Sequence, residues 1–278
     1  MNTSQPELQH QEKKPPVRCR LKQWFNGVSG STLYSLERNL IEEELPDLFG
    51  YHILQLGLIE SHGLLGSSRI SHQILVEIAP QDTQHPEHLL CRSSQLPIAA
   101  NSVDVVLIQH VLEFENDPHE VLREVERILI GEGHLLIIGF NPWSLMGIWR
   151  ALLAWRDEPP WCGHFYRAGR IRDWLALLGF DVIKTRYMFF SPPIGSRWLM
   201  KRFTFFEKLG NYLCPWLGGG YLVIGKKRLI PLTPTRTEWR IRRSLIAAGV
   251  AEPSARIKAE LLQDALEVSK SKEFGDHG

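Results

Sequence analysis

The sequence predicts an α/β fold, a mostly parallel sheet with helices on both faces. Three observations carry that reading. Short apolar runs alternate with amphipathic helical segments from about residue 50 to residue 190, the order in which parallel strands are joined by crossover helices. The run Val103-Asp104-Val105-Val106-Leu107-Ile108 is almost continuously apolar and β-branched, as a strand buried on both faces requires. Between it and the next such run lies a complete helix-start signature at Asp117.

Taken in chain order, residues 1–20 are rich in Gln, Glu, Lys and Pro and predict a disordered tail. In residues 21–50, Leu33, Leu36, Leu40 and Ile41 recur at helical spacing. One helix is expected there, with Glu37, Glu42, Glu43 and Glu44 facing water. Six strands follow from apolar runs bounded by turn residues: 51–57, 73–78, 103–108, 134–139, 180–183 and 221–224. Asp117 suits an N-cap, Pro118 the first helical position and Glu120 the reciprocal capping position. Val121, Leu122, Val125, Ile128 and Leu129 then form one apolar stripe, and Gly131 and Gly133 end the helix. A second helix covers roughly 170–178, stopped by Gly179. Residues 191–219 read as an aromatic-rich insertion before the last strand. The domain is therefore expected over 21–228, with a basic and then helical extension over 229–278.

Composition narrows the function classes. The chain has 278 residues, 44% hydrophobic and 23% charged, with a formal net charge of +1. No global charge points to nucleic acid or to a membrane surface. Four cysteines (Cys19, Cys91, Cys162, Cys214) lie far apart and form no C-x-x-C pair, which suits a reducing compartment. The polar first twenty residues have no apolar signal core, and no run long enough to span a bilayer occurs, so a cytoplasmic location is expected.

The segment from Leu96 to Asn141 carries a family resemblance. Leu96-Pro97, Ser102, Asp104 and Val106 spell an L-P-x-x-x-x-S-x-D-x-V signature, followed by His110-Val111-Leu112-Glu113-Phe114, Asp117-Pro118, Leu122-Arg123-Glu124 and Gly131-Glu132-Gly133. In this the chain resembles class I S-adenosylmethionine (SAM)-dependent methyltransferases of the small-molecule type, over about residues 45–228. Within them it is similar to an uncharacterised bacterial group with Gly139-Phe140-Asn141-Pro142, Arg172-Asp173-Trp174-Leu175 and Leu178-Gly179-Phe180. The resemblance implies a Rossmann-like sheet and SAM as cofactor. It departs at the first strand, where members place an acid and then G-x-G-x-G. Here Gln55 replaces the acid, only Gly57 stands in a glycine position, and Ile59 and Ser61 replace the next two.

Site residues follow from the resemblance position by position. Gly57 would let backbone N–H groups approach the cofactor. Glu77, twenty positions later, would accept hydrogen bonds from the ribose hydroxyls. Ser93 stands where members carry an Asp, and Leu96 would pack near the adenine. His110 follows the strand at the sheet's carboxyl edge and is the candidate catalytic base. Asp104 is read as structural, bonding nearby backbone. Asn141-Pro142-Trp143 is similar to an amino-group methyltransferase loop but follows the wrong strand, so Asn141 is expected only to cap a helix starting at Pro142. The pair His85/His88 has no third and fourth ligand at suitable spacing, and no metal is expected.

Two stretches bear on the acceptor. Trp143 to Trp161, and Ile194 to Trp216 with Arg197, Lys201, Arg202 and Lys208, suit a planar or lipid-like acceptor or peripheral contact with a membrane. Packing against the sheet is the plainer reading of both. The basic residues from Lys226 to Arg243 read as a solvated face, and nucleic acid is not the expected partner. Two functions thus stand side by side: methyl transfer to a small-molecule or lipid-like acceptor, or a non-catalytic methyltransferase-fold binding module for RNA, membrane or a protein partner.

Overall fold

The computed structural model describes residues 17–57, 64–78, 88–91, 93–193, 214–228 and 262–264. The chain divides into two units, Met1–Ile230 and Pro231–Gly278. Of the second, only a helical turn at 262–264 is described.

The first unit is built on a seven-stranded sheet: β1 (His52–Gly57), β2 (His72–Ile78), β3 (His88–Cys91), β4 (Val103–Gln109), β5 (Leu129–Phe140), β6 (Phe180–Met188) and β7 (Gly220–Lys227). Their spatial order is β3-β2-β1-β4-β5-β7-β6. Every neighbouring pair is parallel except those of β7, which runs antiparallel between β5 and β6. The order reverses between β1 and β4, and in open α/β sheets such a switch point is where ligands bind, outside the strands' carboxyl ends. The alternation of segments predicted this mostly parallel architecture. β3 was not foreseen, because four residues are too few to show a period.

Five helices accompany the sheet among the described residues: α1 (Val17–Phe25), α2 (Val28–Glu44), α3 (Pro118–Ile128), α4 (Leu145–Leu153) and α5 (Ala168–Leu177). α3 starts as its sequence demands but ends at Ile128, earlier than the glycines predict, with Leu129, Gly131 and Gly133 already in β5. The Asp117 carboxylate accepts from the N–H groups of His119 and Glu120, and Val121, Leu122, Val125 and Ile128 are fully buried. α5 ends at Gly179, whose φ of 82° a side chain would strain. The predicted single helix over 21–50 is two. α1 takes in residues 17–20 of the expected tail, and α2 packs so closely on it that a Cβ at Gly30 would lie 2.4 Å from the Phe25 backbone.

Asp104 has the structural role read from its place in a buried strand. Its Oδ2 accepts from the backbone N–H groups of Tyr51 (2.9 Å) and His52 (2.8 Å), fixing the start of β1 beside β4. The loop carrying Leu96 is fastened from α3. Leu96 N donates to Glu124 Oε1 at 2.8 Å, while Arg127 donates to the carbonyls of Leu96 (3.2 Å) and Ile98 (2.8 Å). These charge-assisted bonds hold the signature loop against the sheet edge.

Candidate active site

Register brings several of the singled-out residues to one edge. Gly57 at the end of β1 pairs with Glu77 on β2 on one side and with Gln109 on β4 on the other. Ser93 and Leu96, just past β3, are buried. The loop after Gly57, with Ile59 and Ser61, lies outside the described residues, as do His85, the greater part of the insertion (194–213) and nearly all of the 229–278 extension. Gln55, two residues before Gly57, is buried, and its Oε1 has no hydrogen-bond partner among the described residues. A buried acceptor left orphaned is costly, and it fits a ligand that brings its own N–H or ammonium donor. Among the described residues no cluster of His, Cys, Asp and Glu could hold a metal ion.

His110 is where β4 ends and the chain turns. Its φ of 50° lies in the left-handed region that a non-glycine residue occupies only where its surroundings enforce it. The ring is fully buried. Its Nε2 lies 2.7 Å from Glu37 Oε1 and its Nδ1 3.4 Å from Glu113 Oε1. The ring stacks on Phe140 at 4.1 Å between centroids and meets Phe25 at 5.4 Å.

Glu37 corrects the sequence reading. It was expected in water with its acidic neighbours, yet it is fully buried. Besides His110, its carboxylate accepts from Gln109 Nε2 at 2.8 Å. Position explains this: Leu33, Glu37, Ile41 and Glu44 fall on one face of α2, and that face is the buried one. Glu44 is buried with it and pairs with Lys184 at 2.6 Å. Glu113, which the sequence shows only as part of a motif, accepts from the Phe140 N–H at 2.8 Å, while its second oxygen is buried without a partner among the described residues. The Tyr221 hydroxyl completes the group, as it and Glu113 Oε1 both crowd Gly139, where a Cβ would meet them at 2.7 and 2.9 Å.

The charge state of His110 follows from its surroundings. Burial by itself pushes the imidazole toward its neutral form. The Glu37 charge, and then the hydrogen bonds the ring donates to both carboxylates, outweigh burial and raise its pKa to about 9. Burial and the Glu113 charge push the Tyr221 phenol well above its ordinary value. At neutral pH the group is therefore an imidazolium held between two acids beside an un-ionised phenol. A ring already carrying its proton cannot accept another.

Beyond β5 the same edge changes character. Asn141 does not cap a helix at Pro142. Its Oδ1 accepts from Trp143 N, while its Nδ2 donates to the carbonyls of Trp216 (2.7 Å) and Gly218 (2.9 Å), tying two loops together. Ser144 is the true N-cap, its Oγ accepting from Gly147 N. Pro142, Trp143, Leu145, Ile148, Phe190 and Leu217 line an apolar cavity of about 590 Å³. A smaller one of about 160 Å³, lined by Arg167, Arg172, Tyr187 and Trp216 among others, shares Trp143 with it.

Comparison with known proteins agrees with this architecture. A methyltransferase-domain family model matches residues 70–137. The uncharacterized protein YafS of Escherichia coli is 34% identical over 202 residues, 71% of this chain and 79% of that protein. A SAM-dependent methyltransferase of Thermotoga maritima, described as a possible histamine N-methyltransferase, superposes with a TM-score of 0.51 at 17% identity, covering 76% of this chain and 99% of its own. A chain from the complex of the Haloferax volcanii Trm112 methyltransferase activator with a putative methyltransferase gives 0.52 at 15%, covering 75% and 98%. At such identities the two structural likenesses show the fold.

Proposed function

The chain belongs to the class I SAM-dependent methyltransferases, whose cofactor is S-adenosylmethionine, and from that premise we propose that it transfers a methyl group to a small-molecule or lipid-like acceptor. The observation that carries this reading is the row Glu77–Gly57–Gln109 across the switch point of the sheet. When bound, the cofactor supplies an activated methyl group whose transfer depends mainly on alignment. Gly57 gives the backbone room to approach it. Glu77 holds the ribose side, and Ser93 and Leu96 bound the adenine side, Leu96 being held in place by Glu124 and Arg127.

His110 acts at the methyl end as a positioning residue rather than a base. Its fixed charge anchors Glu37 and Glu113 and thereby sets α2 against the tip of β4. Methyl transfer to an acceptor that has no proton to lose before attack needs no base.

Isothermal titration with SAM and with its demethylated product, S-adenosylhomocysteine, tests the reading. One-to-one saturation that weakens at least about tenfold in Glu77→Ala is expected. Folded protein giving no heat with either compound would overturn it and leave the non-catalytic binding module.

A further inference from the structure

The two cavities beyond β5 have complementary chemistry. The larger is walled by Pro142, Trp143, Leu145, Ile148, Phe190 and Leu217, and none of the described residues that line it is charged. Its size falls within the range of pockets that hold small organic ligands. The smaller carries two guanidinium groups, Arg167 and Arg172, and no acid among the described residues that line it. Both arginines are exposed, and among the described residues neither has a carboxylate partner. Arg167 lies over Trp143, its Cζ 4.3 Å from the ring centroid, so the indole shared by both cavities carries a cation.

The backbone adds to this charge. Ala168 and Gly169, the first turn of α5, line the same small cavity, and no side chain caps that helix start. Among the described residues a Cβ at Gly169 would meet nothing within 4 Å, so they leave the helix start open to a ligand. Uncapped N–H groups and the positive end of the helix dipole favour an anion there, and arginine binds phosphate or carboxylate in a two-pronged fashion. Asn141, with both ends of its amide engaged, keeps the 141–143 and 216–218 loops together and so fixes the wall between the two spaces.

We propose that this double cavity binds an anionic amphiphile, its apolar body in the larger space and its phosphate or carboxylate head on Arg167, Arg172 and the start of α5. That this amphiphile is the methyl acceptor rests on the methyltransferase reading; that it binds here does not. The site is on the carboxyl edge shared with Gly57, since β5 and β6 end there and β7 begins there.

The test is calorimetric titration of the full chain with monomeric dodecyl phosphate, dodecanol and inorganic phosphate, with and without SAM. Dodecyl phosphate should bind at least about tenfold more tightly than either fragment compound. Arg167→Gln/Arg172→Gln, at two exposed positions, should erase its advantage over dodecanol, and Ile148→Asp should remove binding of both, each variant keeping the wild-type melting profile. Dodecanol binding as tightly as dodecyl phosphate would overturn the head-group assignment.

Sedimentation with phosphatidylglycerol vesicles, against phosphatidylcholine controls, separates the two sources of such a ligand. Binding to the anionic vesicles that the double arginine variant loses upholds the proposal with a bilayer lipid as source. Binding confined to monomeric dodecyl phosphate upholds it with a free amphiphile. No binding to either would sink it. Dodecyl phosphate binding without any heat from SAM would keep the site and remove only the methyltransferase reading.

Discussion

At the tip of β4 the sheet edge is closed, dry and charged. Beyond β5 it is open, apolar and rich in tryptophan. Glu37, His110 and Glu113 are buried to the last few per cent, whereas Trp143, Ile148 and Trp216 are each more than half exposed. Phe140, stacked on His110, leads through Asn141 directly into Pro142 of the cavity lining. The contrast assigns different work to each region. Buried charges that satisfy one another make a rigid foundation, one that fails badly when a member is removed. Exposed apolar surface contributes little to folding and is kept for something that comes to cover it.

The comparison breaks most readily at Glu37. Glu37→Ala leaves an imidazolium and the Gln109 amide buried without their shared acceptor. A loss of about 3–5 kcal/mol is expected, read from the urea midpoint. Glu37→Gln, which keeps a hydrogen-bond acceptor but not the charge, should lose less. A cost under about 1 kcal/mol for the alanine variant would mean that the centre is not closed.

The pH dependence of stability sharpens the same point. The folded pKa of His110 is raised from 6.5 to about 9. The stability it contributes is therefore fully present below about pH 6.5 and lost as pH rises through about 9. A shift of that size corresponds to about 3 kcal/mol between the two limits. Urea unfolding at pH 6 and at pH 9.5 should show this decline in the wild type and not in His110→Gln. Equal slopes in the two proteins would remove the imidazolium from the account.

Much of the first region could be read from the chain, but not its chemistry. The Asp117 cap, the α3 stripe and the buried β4 run are local patterns, and local patterns determine elements. The row of Gly57, Glu77 and Gln109 follows from where strands end. Glu37 was misread because an acid among acids is ordinarily solvated, although its spacing of four from both Leu33 and Ile41 already placed it on the apolar stripe. That Glu37 meets His110, 73 positions away, depends on how α2 crosses the sheet, which no local pattern encodes. Residues 17–20 of α1 fell into the expected tail because Arg18 and Arg20 give them no apolar stripe of their own, although Leu21 and Phe25 of the same helix are buried. Asn141 was taken for a cap because its residue type suits one, while its partners at 216 and 218 are distant in sequence.

At the boundary between the regions stands Gly139. A methyl group there would lie 2.7 Å from the Tyr221 hydroxyl and 2.9 Å from Glu113 Oε1. Gly139→Ala should cost about 1–3 kcal/mol by overpacking, visible as a lower urea midpoint. An unchanged midpoint would show that the wall between the charged centre and the apolar cleft yields easily.

The smallest effect on stability belongs to the open side, where it still discriminates. Leu152 projects from α4 with 61% of its surface exposed, on a face shared with Ile148 (56%) and close in sequence to Trp155 (77%). A side chain that buries so little has little to lose, so Leu152→Ser should change the unfolding free energy by no more than about 0.5 kcal/mol. It should at the same time reduce retention of the native protein on a phenyl column, because the apolar patch shrinks. A loss above about 2 kcal/mol would mean that the face is already covered within the folded chain. The contrast between a closed centre and an open cleft would then become one between two interiors.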